Sequence, residues 1–111
     1  MAERDTFPDL VRLHILHHAA EAPVYGLWII EELARHGYRL SAGTLYPLLH
    51  RMETRGHLKS FEKREDGRVR RFYRATAHGR AALARAKDKV RELFGELFEG
   101  EIGTRKRRRP R

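Results

Sequence analysis

The chain has 111 residues and a formal net charge of +9, with 24 Lys+Arg against 15 Asp+Glu. That length suits one domain with one modest core, and the charge makes an anionic polymer the expected partner, nucleic acid ahead of anionic membrane. With no cysteine, disulfides and thiolate metal sites are excluded. No apolar run approaches the roughly 18 residues of a membrane span, and M-A-E-R-D-T lacks an apolar signal region, so a soluble, cytoplasmic protein without membrane partners is expected.

From Thr6, a possible cap, a first helix is signalled by Phe7 and Pro8 near its start and by apolar Leu10, Leu13, Leu16 and Ala20 behind. Glu21-Ala22-Pro23 interrupts it. A second helix is expected from about Val24 to Arg35, with Leu27, Ile30, Leu33 and Ala34 inward, before His36-Gly37 closes it. Trp28 and Ile29 extend the apolar surface beyond one stripe, which suits core or dimer packing better than contact with a ligand.

The stretch Ser41 to Gly56 organises the chain. Leu45, Leu48, Leu49 and Met52 recur at helical spacing and predict one packed face. The opposite face, centred near Gly43, Pro47, His50 and Thr54 and flanked by Tyr46, Arg51 and Arg55, mixes small, aromatic and basic side chains suited to a nucleic-acid groove. A proline deep in a helix removes a backbone donor and clashes one turn back, whereas one in the first turn costs little, so regular helix is expected to start close before Pro47, capped by Thr44 or Ser41 and ended by Gly56. Ser41, Gly43, Thr44, Tyr46, Pro47, His50 and Arg51 are the candidate DNA contacts of this helix.

The period then changes to two. Leu58 to Arg64 and Arg68 to Ala75 flank Glu65-Asp66-Gly67, and Asp-Gly between strand-like arms predicts a hairpin with a tight primed turn. Phe61, Val69, Phe72 and Tyr73 are expected to anchor it, while Lys63, Arg64, Arg68, Arg70 and Arg71 face phosphate. Three helices followed by a basic hairpin is the order of a winged helix-turn-helix, whose third helix enters the major groove while the hairpin holds the flanking backbone.

Thr76 is a plausible cap for a long last helix running to about Phe98, with a stripe of Leu83, Ala86, Val90, Leu93 and Leu97 widened by Phe94 and Phe98. Such a face calls for a partner, and pairing with a second copy is favoured over packing on the helix's own core. From Gly100 onward no apolar period remains. Arg105, Lys106, Arg107, Arg108, Arg109 and Arg111 give a basic tail expected to be disordered; subtracting those six cations leaves +3 on the rest. The expected fold is mainly α with a small β-hairpin: residues 1–75 a winged helix-turn-helix, 76–99 a dimerisation helix containing Leu83, Ala86, Val90, Leu93, Phe94 and Leu97, and 100–111 a tail.

The segments Y-G-L-W-I-I-E-E-L, G-T-L-Y-P-L-L-H-R-M-E-T-R-G-H-L and D-G-R-V-R-R-F-Y-R-A-T-A-H-G-R-A-A-L strongly resemble the PadR family of transcriptional regulators, over about residues 10 to 98. The Tyr-Pro pair and the following R-x-Y-x-x-T-x-x-G run, Arg71, Tyr73, Thr76 and Gly79, are its specific marks. The resemblance implies a dimeric winged-helix repressor with a palindromic operator, and the single last helix is similar to the compact subgroup. Some compact members stack planar drugs on a tryptophan of that helix. Here the helix carries Phe94 and Phe98, and Trp28 lies in the second helix, so Phe7, Trp28 and Phe94 are the candidates to line an inter-subunit effector cavity.

Among seven histidines, H-I-L-H-H places His14 one turn from His17 and His18, a possible pair of metal ligands that needs further donors to make a site. No Gly-rich phosphate loop, nucleophile elbow or H-E-x-x-H pattern occurs, so neither an enzyme nor a cofactor is expected. A nucleic-acid-binding module without sequence preference, architectural or RNA-binding, is the rival reading of the basic charge.

Overall fold

The computed structural model describes residues 7–102, and side chains as far as 99. Four helices and three short strands follow in the order α1 (Pro8–Glu21), β1 (Val24–Tyr25), α2 (Gly26–Arg35), α3 (Ala42–Thr54), β2 (Leu58–Glu65), β3 (Arg68–Ala75) and α4 (Ala77–Ile102). The strands form one antiparallel sheet in the order β1-β3-β2.

Helix α1 begins at Pro8, which is suited to a first turn. Phe7, rather than Thr6, occupies the cap position and makes no side-chain cap bond; Thr6 lies outside the described residues. The helix buries Val11, Ile15, Leu16 and Ala19, while Leu10 is exposed. The expected stripe through Leu10, Leu13 and Ala20 is therefore the flank. The helix is apolar on two sides, and the core takes the side bearing Val11 and Ile15, leaving Leu13 toward α4.

A short strand stands where the second helix was expected to start. Val24 pairs with Tyr73 and Tyr25 with Phe72, so the hairpin gains a third strand. Tyr25 is extended (φ −121°, ψ 165°) and helix begins only at Gly26. Ile29 and Leu33 are buried, and Trp28 and Ile30 pack against the core from its edge, whereas Leu27 and Ala34 are exposed. The W-I-I run offers more than one apolar face; β1 and the contact at Gly26 decide which one turns inward.

Both α2 and α3 stop in the same way. Gly37 and Gly56 have φ of 89° and 84°, a region costly for other residues, and each glycine N–H reaches back to the helix: Gly37 to Ala34 O and Gly56 to Glu53 O. The next residues, Tyr38 and His57, close the longer bond to Leu33 O and Met52 O, completing Schellman caps.

Helix α3 starts at Ala42, a turn earlier than Pro47 suggests. Ser41 Oγ accepts from Thr44 N at 3.2 Å, so Ser41 is the cap, and Pro47 lies within the helix. The proline forfeits only the bond to Gly43 O, and both residues are exposed, so water can satisfy that carbonyl. Leu45, Leu48, Leu49 and Met52 are buried, Leu45 and Leu49 completely. Full burial stabilises by about 1.5–3 kcal/mol per side chain of this kind, so this stripe anchors the core.

The hairpin register is continuous from Leu58↔Ala75 to Glu65↔Arg68, and both turn residues, Asp66 (φ 52°) and Gly67 (φ 79°), are left-handed as a primed turn requires. Tyr73 and Ala75 enter the core, while Phe72 is covered on the other face by Phe61 and Tyr25. Val69, expected as an anchor, is exposed because it sits beside the turn, beyond the reach of the helices.

Helix α4 leaves the sheet through a tight joint. Thr76 Oγ1 caps it by accepting from Gly79 N at 2.9 Å, and its hydroxyl donates to Gly56 O. Thr76 N donates to His57 O at 3.0 Å, and Gly79 lies so close to that carbonyl that a Cβ would collide with it. The helix continues past Phe98 and Gly100 to Ile102; residues 103–111, with the whole cationic cluster of the tail, lie outside the described residues.

Candidate nucleic-acid interface

Because one side of α3 is locked into the core, the other is presented as a rigid face. Ser41, Gly43, Thr44, Tyr46, Pro47, His50, Arg51, Thr54 and Arg55 are all exposed on it. Two have work within the fold. Ser41 spends its hydroxyl on the cap, and Tyr46, 44% exposed, rests its ring tip on Gly26, where any side chain would strike it. Gly26 thus sets the approach of α2 to α3, and only the van der Waals demand of a tyrosine one helix away marks it as important. His50 and Arg51 project from the C-terminal half of the helix, Arg51 in its last turn, without such ties, and are of the types that can hydrogen-bond base edges.

The hairpin cations divide. On the face toward α3, Arg71 donates to Ser60 Oγ at 3.0 Å and to Glu62 Oε2 at 3.2 Å. Ser60 in turn donates, through Oγ at 2.7 Å and N at 3.2 Å, to Glu53 Oε2. This chain of bonds fastens the end of α3 to the wing, so Arg71 is committed to holding the wing in place. On the opposite face Arg70 lies over the Tyr25 ring, 4.1 Å from its centroid, and its buried Nε has no hydrogen-bond partner. Lys63 stands 5.8 Å over Phe72, Arg64 Nη1 reaches Gly67 O at 3.4 Å, and Arg68 is exposed beside the turn. Lys63, Arg64 and Arg68 are the cations presented outward at the hairpin tip.

Between helix and wing an open cleft of about 320 Å³ is lined by Tyr25, Leu27, Tyr46, Arg68, Arg70 and Arg71. Cations flank a tyrosine and the start of α2 there, an arrangement that can take a phosphate backbone running from groove to wing. Tyr73, buried behind it, has its phenol pushed up by burial.

The other candidates are distributed differently. Leu83 and Ala86 are half-buried, whereas Val90, Leu93, Phe94 and Leu97 are exposed. Trp28 lines a hollow beside His18, and Phe94 lines another with Leu13, Lys87, Val90 and Arg91; Phe7 lines neither of these two. His14 turns toward His36 and Tyr38, with ring centroids 4.8 and 5.5 Å away. Burial and then the neighbouring imidazoles of His36, His18 and His17 hold its pKa below the usual value. Glu32 accepts from His36 Nε2 at 3.1 Å, and that bond chiefly keeps its carboxyl below the ordinary range. His17 and His18 come together instead with Glu21, a donor that its spacing four residues after His17 could have suggested.

These elements define a winged helix-turn-helix with a long last helix, the architecture of a DNA-binding regulator. The chain matches the transcriptional regulator PadR-like family over residues 15–85, and it belongs to that family. It is 55% identical over 94 residues to transcriptional regulator Rv3488 of Mycobacterium tuberculosis, covering 85% of this chain and 88% of that protein. A PadR family regulator from Eggerthella lenta is 30% identical with a TM-score of 0.68, over 87% of this chain and 88% of the other. A PadR-like regulator from Bacillus cereus, 24% identical, shares the fold with a TM-score of 0.77 over 90% and 98%. The protein is a transcriptional regulator, in a family of regulators and not of enzymes, and none of its described helices is long and apolar enough to cross a membrane.

Proposed function

We propose that this regulator is a cytoplasmic repressor acting as a homodimer on a palindromic operator and released by a small-molecule or metal effector. The observation that carries the dimer is the exposure of Val90, Leu93, Phe94, Leu97 and Phe98, each between 40% and 59%, in one stripe along α4. Contiguous apolar surface on this scale marks an interface, and Phe7 at the cap of α1 and Leu10 in its first turn are exposed apolar side chains as well. A two-fold axis through paired α4 helices duplicates α3, which matches a palindrome.

In this reading residues 1–75 hold the DNA, the last helix, which runs three residues past the expected end at 99, pairs the copies, and the cations of 105–111 form a basic arm that adds affinity for any duplex. His50 and Arg51 read bases, with Gly43, Thr44 and Pro47 allowing close approach; Ser41 and Tyr46 position the helix; Lys63, Arg64, Arg68 and Arg70 meet phosphates, and Arg71 steadies them. Phe7, Trp28 and Phe94 belong to the surface where a second copy would complete an effector cavity.

Selecting bound sites from random duplex, then titrating the selected palindrome, its isolated half-site and an RNA hairpin, tests the proposal. One dimer on the palindrome, bound at least about tenfold tighter than random duplex, is expected. Equal affinity for all would leave the architectural or RNA-binding module in its place.

A further inference from the structure

The last turn of α1 carries side chains that DNA reading does not use. His17, His18 and Glu21 each offer one ligand atom, and the three atoms lie within 4.8 Å of one another. Helical spacing brings this about: Glu21 is three and four residues after the two histidines, so all three reach the same spot. Nε2 of His17 is already 3.4 Å from Oε2 of Glu21. Ligands about 2.1 Å from a tetrahedral ion stand roughly 3.4 Å apart, so small rotamer changes of exposed side chains suffice.

The surroundings favour an ion over a solvated ion pair. Directly after Glu21 the chain turns extended at Ala22 (φ −167°, ψ 157°) and meets Pro23, opening a hollow of about 300 Å³ lined by His18, Glu21, Pro23, Tyr25 and Trp28. It has room for an ion and its waters. His18 Nε2 lies 3.5 Å from Oε2 of Glu32, whose side chain is only 15% exposed. An ion taken by the other nitrogen of His18 would leave this N–H on a carboxylate, the outer-shell partner that orients most ligating histidines.

We propose that His17, His18 and Glu21 bind a divalent transition ion of borderline softness, such as zinc or nickel, with water completing its coordination. Two imidazoles and a carboxylate without thiolate suit such ions, and the open fourth position makes the site exchangeable. The inference takes up the metal arm of the proposed effector and requires neither repression nor an operator.

Calorimetric titration of the full chain with zinc, without DNA, tests it, alongside nickel quenching of Trp28, the sole tryptophan, whose ring centroid is 5.2 Å from that of His18. One ion per chain and quenching that saturates with it are expected. His18→Ala, and separately the exposed pair His17→Gln with Glu21→Gln, should each weaken binding at least tenfold. His78→Gln, which alters a facing pair of imidazoles away from the site, His57 and His78 with centroids 5.0 Å apart, should leave it unchanged. No saturable uptake, full affinity in the His17/Glu21 double variant, or a loss confined to His78→Gln would overturn the site. Operator binding that persists without zinc uptake would sink the metal site alone, leaving the repressor reading standing.

Discussion

Helices α3 and α4 carry stripes of the same kind and meet opposite fates. In α3, Leu45, Leu48, Leu49 and Met52 are buried by α2, β2 and the rest of the core. In α4, the stripe is half-buried only at Leu83 and Ala86, where α1 and β3 reach it, and Val90, Leu93 and Leu97 run on into solvent. Helical periodicity states that a face is apolar; it does not state what covers it. The free side of α3 is polar and basic while the stripe of α4 is apolar, so one helix is finished by its own chain and presents a polar face to solvent, and the other is left with apolar surface uncovered.

The sharpest break of that comparison is to damage each stripe. Leu49→Ala should cost about 2–5 kcal/mol in denaturant unfolding, because a side chain with no exposure leaves a cavity. Leu93→Asp with Leu97→Asp should leave the intrinsic stability of one chain nearly unchanged and convert dimers to monomers in light scattering. An unchanged dimer mass would mean that α4 is not the interface; a large loss of single-chain stability would mean that its stripe is covered from within.

The joint between the two helices comes next. Gly79→Ala forces a Cβ onto His57 O, and overpacking against backbone of this kind costs about 1–3 kcal/mol. Thermal unfolding of this variant beside Gly95→Ala on the same helix would measure it, since Gly95 has only the tip of Glu99 nearby. Equal melting temperatures would show that α4 can swing away from His57 freely.

That joint also shows what the sequence made legible. The hairpin turn, the stop at Gly56 and the α3 stripe depend on neighbours a few residues away, so local pattern suffices. Thr76 and Gly79 were visible as part of a family motif, but their reason is a carbonyl on another element. Strand β1 was hidden because Val24 and Tyr25 take their strand character only from Phe72 and Tyr73. The bond chain Glu53–Ser60–Arg71 was hidden for the same reason, and it alone separates Arg71 from cations such as Arg68 that look alike in sequence. Leu27 and Ile29 exchanged places because an apolar run has no preferred face until a sheet edge gives it one.

The division among wing cations predicts a smaller contrast. Arg68→Ala should weaken operator and random duplex alike and flatten the log-log salt dependence by about 1, one phosphate contact fewer. Arg71→Ala should leave that slope nearly unchanged while lowering affinity through a looser wing, and it should also lower the melting temperature, because Ser60 and Glu62 lose their partner. If both variants gave the same slope change and no loss of stability, Arg71 would be a phosphate contact like its neighbour.

The smallest expected effect lies in pH, at the point where the two helices meet. His57 follows the end of α3 and faces His78 in the first turn of α4; burial first, then the charge of His78, Arg55 and Arg85, holds its pKa below 6.5. A histidine depressed in the fold binds its proton more readily when unfolded. Its contribution to stability is therefore complete above pH 6.5 and is lost as pH falls through 6.5 toward the folded-state value. Melting temperatures should fall between pH 7.5 and 5.5 for this reason, together with the similarly depressed His14. His78→Gln removes one of the repelling charges without touching the burial of His57, so it should shrink the drop and not abolish it. An identical drop in the variant would show that the charge of His78 contributes nothing to the acid sensitivity, leaving it to the burial of His57 and to His14.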